Sequence, residues 1–206
     1  MSLVSNLFLL FVAASVLVYY IVPHKFQWLV LLCFSYIYYL AGGVRYVGFL
    51  LFSTLITWLI ALAVEKTEAK GSHKGARNLL VLGLLLNFGM LGVVKYTNFA
   101  IENLNALFHM NLRGMEILLP LGISFYTFQS SGYLLDVYWK RCEAEKNPVK
   151  YALFVSFFPQ ILQGPIGRYS RLAHQLYEPH KFEGKNITRG FERILWGFFK
   201  KMILAD

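Results

Sequence analysis

The stretch FVSFFPQILQGPIGRY, residues 154–169, combines an apolar composition with amide side chains and helix breakers. Its helix breakers are Pro159, Gly164 and Pro165. Such residues free backbone N–H and C=O groups, which persist at membrane depth only where protein or a water-filled cavity satisfies them. Gln160 and Gln163 are natural partners for the freed groups. The stretch therefore predicts a re-entrant segment that dips into a membrane, turns back and lines a cavity.

A second apolar stretch, residues 117–139, is also rich in polar side chains. Its hydroxyl and amide residues are Ser124, Tyr126, Thr127, Gln129, Ser130 and Ser131. Pro120 and Gly122 are expected to bend or break the early part of this helix. Any one of these polar side chains could serve only to hold neighbouring helices together. Two interrupted apolar stretches in one small chain nevertheless favour a polar pocket or tunnel.

Two charged residues lie at the ends of predicted helices. Lys95 ends one of them in the run VVKYTNF. It is either an anchor that reaches the outer membrane interface or a charge that faces the protein interior beside Asn98. Asp136 lies near Lys140 and Arg141 at the end of another helix, and this spacing favours an ion pair over a catalytic role.

Histidine is the commonest general base, but the sequence places no histidine in an apolar helix. The five histidines are His24, His73, His109, His174 and His180. His174 and Glu178 have the i, i+4 spacing of metal ligands. Pro179 interrupts any helix that would direct His180 to the same point, so no metal site is expected.

The sequence also lacks the common motifs of disulfide-linked domains, catalytic triads and cofactor-binding sites. Cys33 and Cys142 are far apart and in different contexts, so neither a disulfide framework nor a cysteine-based zinc site is indicated. The sequence contains no Ser-His-Asp pattern, no P-loop and no glycine-rich dinucleotide motif. We therefore expect no bound cofactor.

The composition is that of a membrane protein. Of the 206 residues, 57% are hydrophobic and 15% are charged, whereas soluble domains are about 45–50% apolar and about 25% charged. The formal net charge of +9 is better explained by basic cytoplasmic loops than by binding to nucleic acid. Nucleic acid is therefore not expected as a partner, while membrane lipid is.

Uncharged runs of the length that spans a bilayer predict an all-α, polytopic membrane protein. A spanning helix needs about 20 mostly apolar residues. The five predicted helices are Leu3–Val22, Phe26–Leu40, Val44–Val64, Leu79–Tyr96 and Ile117–Trp139. Residues 97–111 are expected to form a short interfacial helix, and residues 191–206 a last apolar helix that is cut short.

The basic loops predict the orientation. Residues 65–78 and 140–150 each hold four basic residues, whereas residues 97–114 hold Arg113 alone. The positive-inside rule places both basic loops in the cytoplasm and the N-terminus outside. If residues 151–167 crossed the membrane, the basic run 168–190 would lie outside, against that rule. A re-entrant segment keeps this run in the cytoplasm.

Four strings resemble successive motifs of the membrane-bound O-acyltransferase (MBOAT) family, and they occur in order along the whole chain. They are KYTNF at 95–99, LLPLGISFYTFQSSGYLLDVY at 118–138, FVSFFPQILQGPIGRY at 154–169 and GFFKKMILAD at 197–206. The similarity is greatest to the bacterial branch that includes alginate O-acetyltransferase and the protein that transfers D-alanine to teichoic acids.

The resemblance implies a transmembrane acyltransferase of the bacterial plasma (inner) membrane, with helices around a central tunnel. Such an enzyme takes an acyl group, which for this branch is an acetyl group, from an acyl donor or acyl carrier on the cytoplasmic side. It passes the group to hydroxyls of an extracytoplasmic polysaccharide such as alginate, together with periplasmic acetylation partners. The candidate residues that line the tunnel or support it are Lys95, Asn98, Tyr126, Gln129, Pro159, Gln160, Gln163, Gly164, Pro165 and Arg168.

The family's catalytic histidine belongs to a region that has no counterpart here, and none of the five histidines matches its motif. Residues 1–206 are accordingly expected to be the N-terminal part of a single MBOAT transmembrane domain, inactive alone. The alternative is a non-catalytic membrane scaffold or a transporter-like fragment, since broken helices also build transporter sites.

Overall fold

The computed structural model describes residues 6–108, 113–114, 120, 122–164, 166–200 and 203. Within these ranges the regular structure is helical, and no strand occurs. The α-helices are α1 Asn6–Ile21, α2 Gln27–Gly42, α3 Val44–Ala69, α4 His73–Phe108, α5 Ile123–Tyr138, α6 Pro148–Ser156, α7 Phe158–Gln163, α8 Tyr169–Tyr177 and α9 Gly184–Phe199. A short 3₁₀ turn, His24–Phe26, joins α1 to α2. The all-α prediction is confirmed.

Two of these helices, α3 and α4, are long and apolar enough to cross a membrane. Helix α1 is apolar but shorter, with 16 residues. Helices α2 and α5 also have 16 residues each. The predicted count of about five spans is therefore not confirmed by helix length and composition.

Helix α4 differs most from the sequence prediction. It has 36 residues, or about 54 Å at 1.5 Å per residue, and it continues without interruption from His73 to Phe108. The prediction of a separate interfacial helix at 97–111 is therefore wrong for residues 97–108, which continue α4. Residues 109–111 lie outside the described part. Residues 97–108 contain neither proline nor glycine, so nothing in the sequence ends the helix there.

Helices α3, α4 and α5 form the centre of the bundle, and a polar contact holds the first two together. The buried Asn87 side chain of α4 accepts a hydrogen bond from Ser53 Oγ at 2.8 Å. It donates to Thr57 Oγ1 at 2.9 Å and to the Gly83 carbonyl at 3.0 Å. Gly83 lies where a Cβ atom would come within 2.8 Å of the Leu134 side chain of α5. The three helices therefore approach closely at this level.

The C-terminal ends of α3 and α5 lie at the same end of the bundle. Glu68 Oε1 contacts His73 Nδ1 at 2.6 Å and Lys140 Nζ at 3.2 Å. Glu65 Oε1 accepts a hydrogen bond from the Ala144 backbone N–H at 2.8 Å. The basic segments around residues 65–78 and 140–150 are thus neighbours. The loop in the first of them is much shorter than predicted, because only residues 70–72 separate α3 from α4.

Candidate functional site: a broken helix and its cleft

The chain breaks between α6 and α7, at Phe157. Its backbone leaves the helical region there, with φ −53° and ψ 106°. In a continuous helix the Phe158 N–H would donate to the Phe154 carbonyl, four residues earlier. The groups that the break frees include the Phe158 N–H and the Phe154 carbonyl, and each needs a partner from outside the segment.

Two neighbouring helices supply these partners. Gln129 Nε2 of α5 donates to the Phe154 carbonyl at 2.9 Å. Ser35 Oγ of α2 accepts from the Phe158 N–H at 3.2 Å and itself donates to the Leu31 carbonyl at 2.7 Å. Gln129 and Ser35 thus replace the two halves of a single helical hydrogen bond. Ser35 was missed by the sequence analysis, because a lone serine in an apolar helix carries no signal of its own.

Pro159 is not the residue at which the helix breaks. It lies in the first turn of α7, where a backbone N–H would have no partner within the helix. The break comes two residues earlier, at Phe157. Proline therefore starts the new helix, and the interruption predicted for Pro159 lies just before it, at Phe157.

A second interruption follows α7. Gly164 ends that helix with an extended backbone, and Arg168 is extended as well before α8 begins. A Cβ atom on Gly164 would lie 2.8 Å from Gln160 Cα. A Cβ atom on Gly167 would meet the Gln160 side-chain amide. The Gln160 side chain therefore packs against the segment that follows α7, at Gly164 and Gly167. The predictions for the Gln163 side chain and for Pro165 lie outside the described residues.

The chain turns beside the N-terminal end of α5. Gly122, which precedes α5, has a left-handed backbone with φ +70°, and a Cβ atom there would collide with Ile161 of α7. Ile161 is buried at this contact. Helices α6 and α7 together have 15 residues, which corresponds to about 23 Å of helix. The segment reaches the N-terminal end of α5 within this length.

After the turn, the chain returns to the end of the bundle from which it came. Tyr169 Oη of α8 donates to Glu145 Oε2 at 2.7 Å, and the Tyr169 ring packs on Tyr133 with centroids 4.7 Å apart. Tyr177 Oη donates to the Lys150 carbonyl at 2.7 Å. Glu145 precedes α6, and Lys150 lies in the first turn of α6. Helix α8 therefore lies beside the loop that leads into α6.

The segment after α8 is fixed at the same end. The buried Gln27 side chain, at the start of α2, binds the His180 backbone twice. Its Oε1 accepts from the His180 N–H at 2.9 Å, and its Nε2 donates to the His180 carbonyl at 3.0 Å. The Tyr19 hydroxyl and His180 Nδ1 are 3.0 Å apart. This places residues 178–182 beside the turn between α1 and α2.

The helix break and the return together line a cleft of about 570 Å³. Its polar side chains come from Gln160, Arg168, Arg171 and Gln175, and its apolar ones include Phe157 and Leu172. Both arginine side chains are exposed. The cleft thus has an apolar interior with amide groups and two cationic groups at its mouth.

Several predicted site residues lie away from this cleft. Lys95 is exposed, with Nζ over the Tyr96 ring at 5.6 Å from the centroid. Asn98 is half-buried further along α4, where Gly114 approaches its side chain. Tyr126 is fully buried in α5, and its hydroxyl has no hydrogen-bond partner within the described residues. The structure therefore brings Pro159, Gln160, Gly164 and Arg168 together in the cleft and places Gln129 at the helix break. Lys95, Asn98 and Tyr126 do not line the cleft.

Tyr169 and Cys142 are held in their neutral forms at this end of the bundle, and Asp136 forms an ion pair. Burial, together with nearby Tyr177 and Glu145, raises the pKa of Tyr169 well above its ordinary value, so the hydroxyl stays a donor. Burial and then the charges of Asp136 and Glu65 raise the pKa of the Cys142 thiol to about 11. Arg141 Nη1 lies 3.5 Å from Asp136 Oδ1, which confirms the ion pair predicted at the end of this helix.

Three of the four described histidines contact neighbours outside the cleft. His73 pairs with Glu68, and His174 Nδ1 lies 2.8 Å from Glu178 Oε1 in the next turn. His180 binds Tyr19 and borders a neighbouring cleft. His109 lies outside the described residues. Within the described part, no histidine lies at the helix break, and no group of three potential metal ligands occurs.

Comparison with curated proteins gives relatives along almost the whole chain. A probable alginate O-acetylase, AlgI, of Azotobacter vinelandii is 34% identical over 98% of this chain and 41% of its own length. A peptidoglycan O-acetyltransferase of Helicobacter pylori is 32% identical over 87% of this chain and 38% of its own length. The chain belongs to the membrane-bound O-acyltransferase family. This confirms the resemblance stated from the motifs.

The MBOAT assignment extends to a more distant relative with a different acyl group. A teichoic acid D-alanyltransferase of Lacticaseibacillus rhamnosus is 26% identical over 79% of this chain and 37% of its own length. The chain thus spans about two fifths of the length of these relatives. No family model matches the chain. No solved structure matches it either.

Proposed function

We propose that this MBOAT chain forms part of a polytopic membrane enzyme that transfers an acetyl group to hydroxyls of an extracytoplasmic polysaccharide such as alginate. Relatives named as alginate and peptidoglycan O-acetyltransferases match nearly the whole chain and support this activity. The observation that carries the proposal from the structure is the helix break at Phe157, because Gln129 and Ser35 support it beside the cleft.

The proposed topology has five crossings, a re-entrant α6–α7 segment and an N-terminus outside the inner membrane. In this arrangement the ends of α3 and α5, the loop before α6, and α8 all lie on the cytoplasmic side. The contacts of Glu68 with Lys140 and of Tyr169 with Glu145 support it, since they join these segments at one end of the bundle. Basic residues in the same segments agree with the positive-inside rule.

The cleft would then open toward the cytoplasm and admit the acyl donor or its carrier. The Arg168 and Arg171 guanidinium groups attract an anionic donor to the mouth, while Phe157 and Leu172 exclude water from the deeper part. The Gln160 side chain lines the same cleft. Deprotonation of the acceptor hydroxyl needs a general base. We assign that role to none of the described histidines, since none lies at the break.

The proposal is tested by complementation with the complete protein that contains this chain. Expressed in an alginate-producing bacterium whose own acetylase gene is deleted, it should restore O-acetyl groups to the polymer, measured by NMR of the purified alginate. Absence of acetylation, with the protein present in the membrane, would contradict the proposed acceptor or activity.

The role of Arg168 and Arg171 is tested with a double variant in the same acetylation assay. Arg168→Gln with Arg171→Gln should lower the acetylation rate about tenfold or more, because each charge-assisted hydrogen bond contributes about 1.5–3 kcal/mol. Lys74→Gln with Arg77→Gln removes the same charge from an exposed site on α4 and should leave the rate unchanged. Equal rates for the two double variants would show that the arginines do not bind the donor.

A further inference from the structure

Helix α9 is separated from the core of the bundle. It has 16 residues, Gly184–Phe199, and none of them is buried. Tyr20 of α1 and Phe182, which precedes α9, make an aromatic contact with ring centroids 5.3 Å apart. The N-terminal part of α9 therefore starts beside the last turn of α1, at the end of the bundle that carries the turn His24–Phe26.

The sequence of α9 separates apolar and basic residues onto opposite faces. Successive residues of a helix are about 100° apart around its axis. On that spacing one face holds Ile187, Phe191, Ile194, Leu195, Phe198 and Phe199. The opposite face holds Lys185, Arg189 and Arg193, with Lys200 directly after the helix, and the exposed Trp196 lies among them. Glu192 is the one acidic residue between positions 184 and 200. The helix thus has a wide apolar stripe and a basic face.

The apolar face of α9 is open rather than packed. Phe191 and Ile194 remain exposed, with 60% and 49% of their surface accessible. Together with Ile187 they border a cleft of about 550 Å³, whose opposite wall includes Val16 and Tyr20 of α1. Five of the six large apolar side chains on this face are exposed, and Phe198 is half-buried. A helix in water would not keep them in this state, because their exposure is costly.

We propose that α9 lies in the plane of the membrane and binds a lipid surface that carries anionic headgroups. Its apolar face enters the boundary between headgroups and acyl chains, and acyl chains fill the cleft beside α1. The four basic side chains, against one acidic side chain, match the charge of the headgroups. Helices with a polar basic face and a strongly apolar opposite face bind membrane surfaces in this way. This inference does not depend on the acceptor or donor proposed above.

The position of α9 is tested by electron paramagnetic resonance on the complete protein in nanodiscs of phosphatidylglycerol or phosphatidylcholine. Cys33 and Cys142 are first replaced by alanine, and a spin label is attached at Phe191→Cys or Arg193→Cys. In phosphatidylglycerol, the label at 191 should be accessible to oxygen and shielded from a water-soluble nickel complex. The label at 193, on the basic face, should show the reverse.

Charge reversal tests the role of the headgroups. In phosphatidylglycerol nanodiscs, Arg189→Glu with Arg193→Glu should shift the label at 191 toward water by at least about tenfold in its equilibrium, since each basic residue near an anionic surface contributes roughly fivefold. Lys74→Glu with Arg77→Glu makes the same change of net charge elsewhere and should have no effect on this label.

Three outcomes would overturn the proposal. The label at 191 could be shielded from both reagents, which would mean that another part of the protein covers the apolar face. It could be open to the nickel complex in both lipids, which would place α9 in water. Finally, both charge-reversed variants could behave alike, which would show that the basic face does not select anionic headgroups.

Discussion

Gly122→Ala is expected to destabilise the complete protein by about 2–4 kcal/mol, the combined effect of backbone strain and overpacking. Gly122 has φ +70°, a conformation that side chains with a Cβ atom rarely adopt. Its Cβ would also collide with the Ile161 side chain and lie 2.9 Å from the Ile161 carbonyl oxygen. The substitution should therefore push α7 away from the start of α5. The measurement is the free energy of unfolding in detergent micelles.

Gly132→Ala is the matched control for this prediction. Gly132 lies inside the same helix, and no atom would come within 4 Å of an added Cβ. Alanine should stabilise that position by about 0.5–1 kcal/mol, because it loses less backbone entropy than glycine. Equal stabilities for the two variants would contradict the close contact between Gly122 and α7.

Gln129→Leu is expected to lower the stability by about 1–3 kcal/mol and to reduce acyl transfer by the complete protein. The change removes the donor to the buried Phe154 carbonyl and leaves that group without a partner. The break at Phe157 would then lose half of its support, and the cleft beside it would change shape. Membrane insertion should be unaffected. Unchanged activity and stability would show that Gln129 does not hold the break.

Ser35→Ala provides a second test, since Ser35 supports the other half of the same break. The effects of Gln129→Leu and Ser35→Ala should be non-additive by at least about 0.5 kcal/mol, as expected for groups in one network. Ser15→Ala is the control for the serine substitution. Ser15 is also buried, but it donates only to the Val12 carbonyl within α1. Its effect should add to that of Gln129→Leu.

The existence of the broken segment could be predicted from sequence, but its construction could not. Pro159 and Gly164 in an apolar run indicate that a helix must be interrupted. They do not indicate where, and the break at Phe157 lies before the proline. The bond from Gln129 joins residues 25 positions apart, and the contact of Ser35 with Phe158 spans 123 positions. Such long-range partners depend on how the helices pack.

The predicted helix boundaries were wrong where polar residues were interpreted as loops. Glu65, Lys66 and Glu68 extend α3 beyond the predicted end at Val64. Residues 97–108 extend α4 although they are only moderately apolar. Charge and polarity mark the part of a helix that leaves the apolar region, but they do not end the helix. Gly122 was read correctly as an interruption, because its left-handed backbone, which glycine favours, directly precedes the start of α5.

The measurement that tests the account most directly is the side of the membrane on which α9 begins. Single cysteines at Ser72, Lys146 and Lys185, in the complete protein without Cys33 and Cys142, are treated with an impermeant maleimide in intact cells. Arg113→Cys, in the segment predicted outside, is the positive control.

The account predicts that Arg113→Cys reacts in intact cells, while the cysteines at 72, 146 and 185 react only after the membrane is permeabilised. This result would place α8 and α9 on the same side as the ends of α3 and α5, with α6 and α7 entering the membrane and returning. Reaction of Lys185→Cys in intact cells, with Ser72→Cys still protected, would contradict it and make residues 148–168 a crossing.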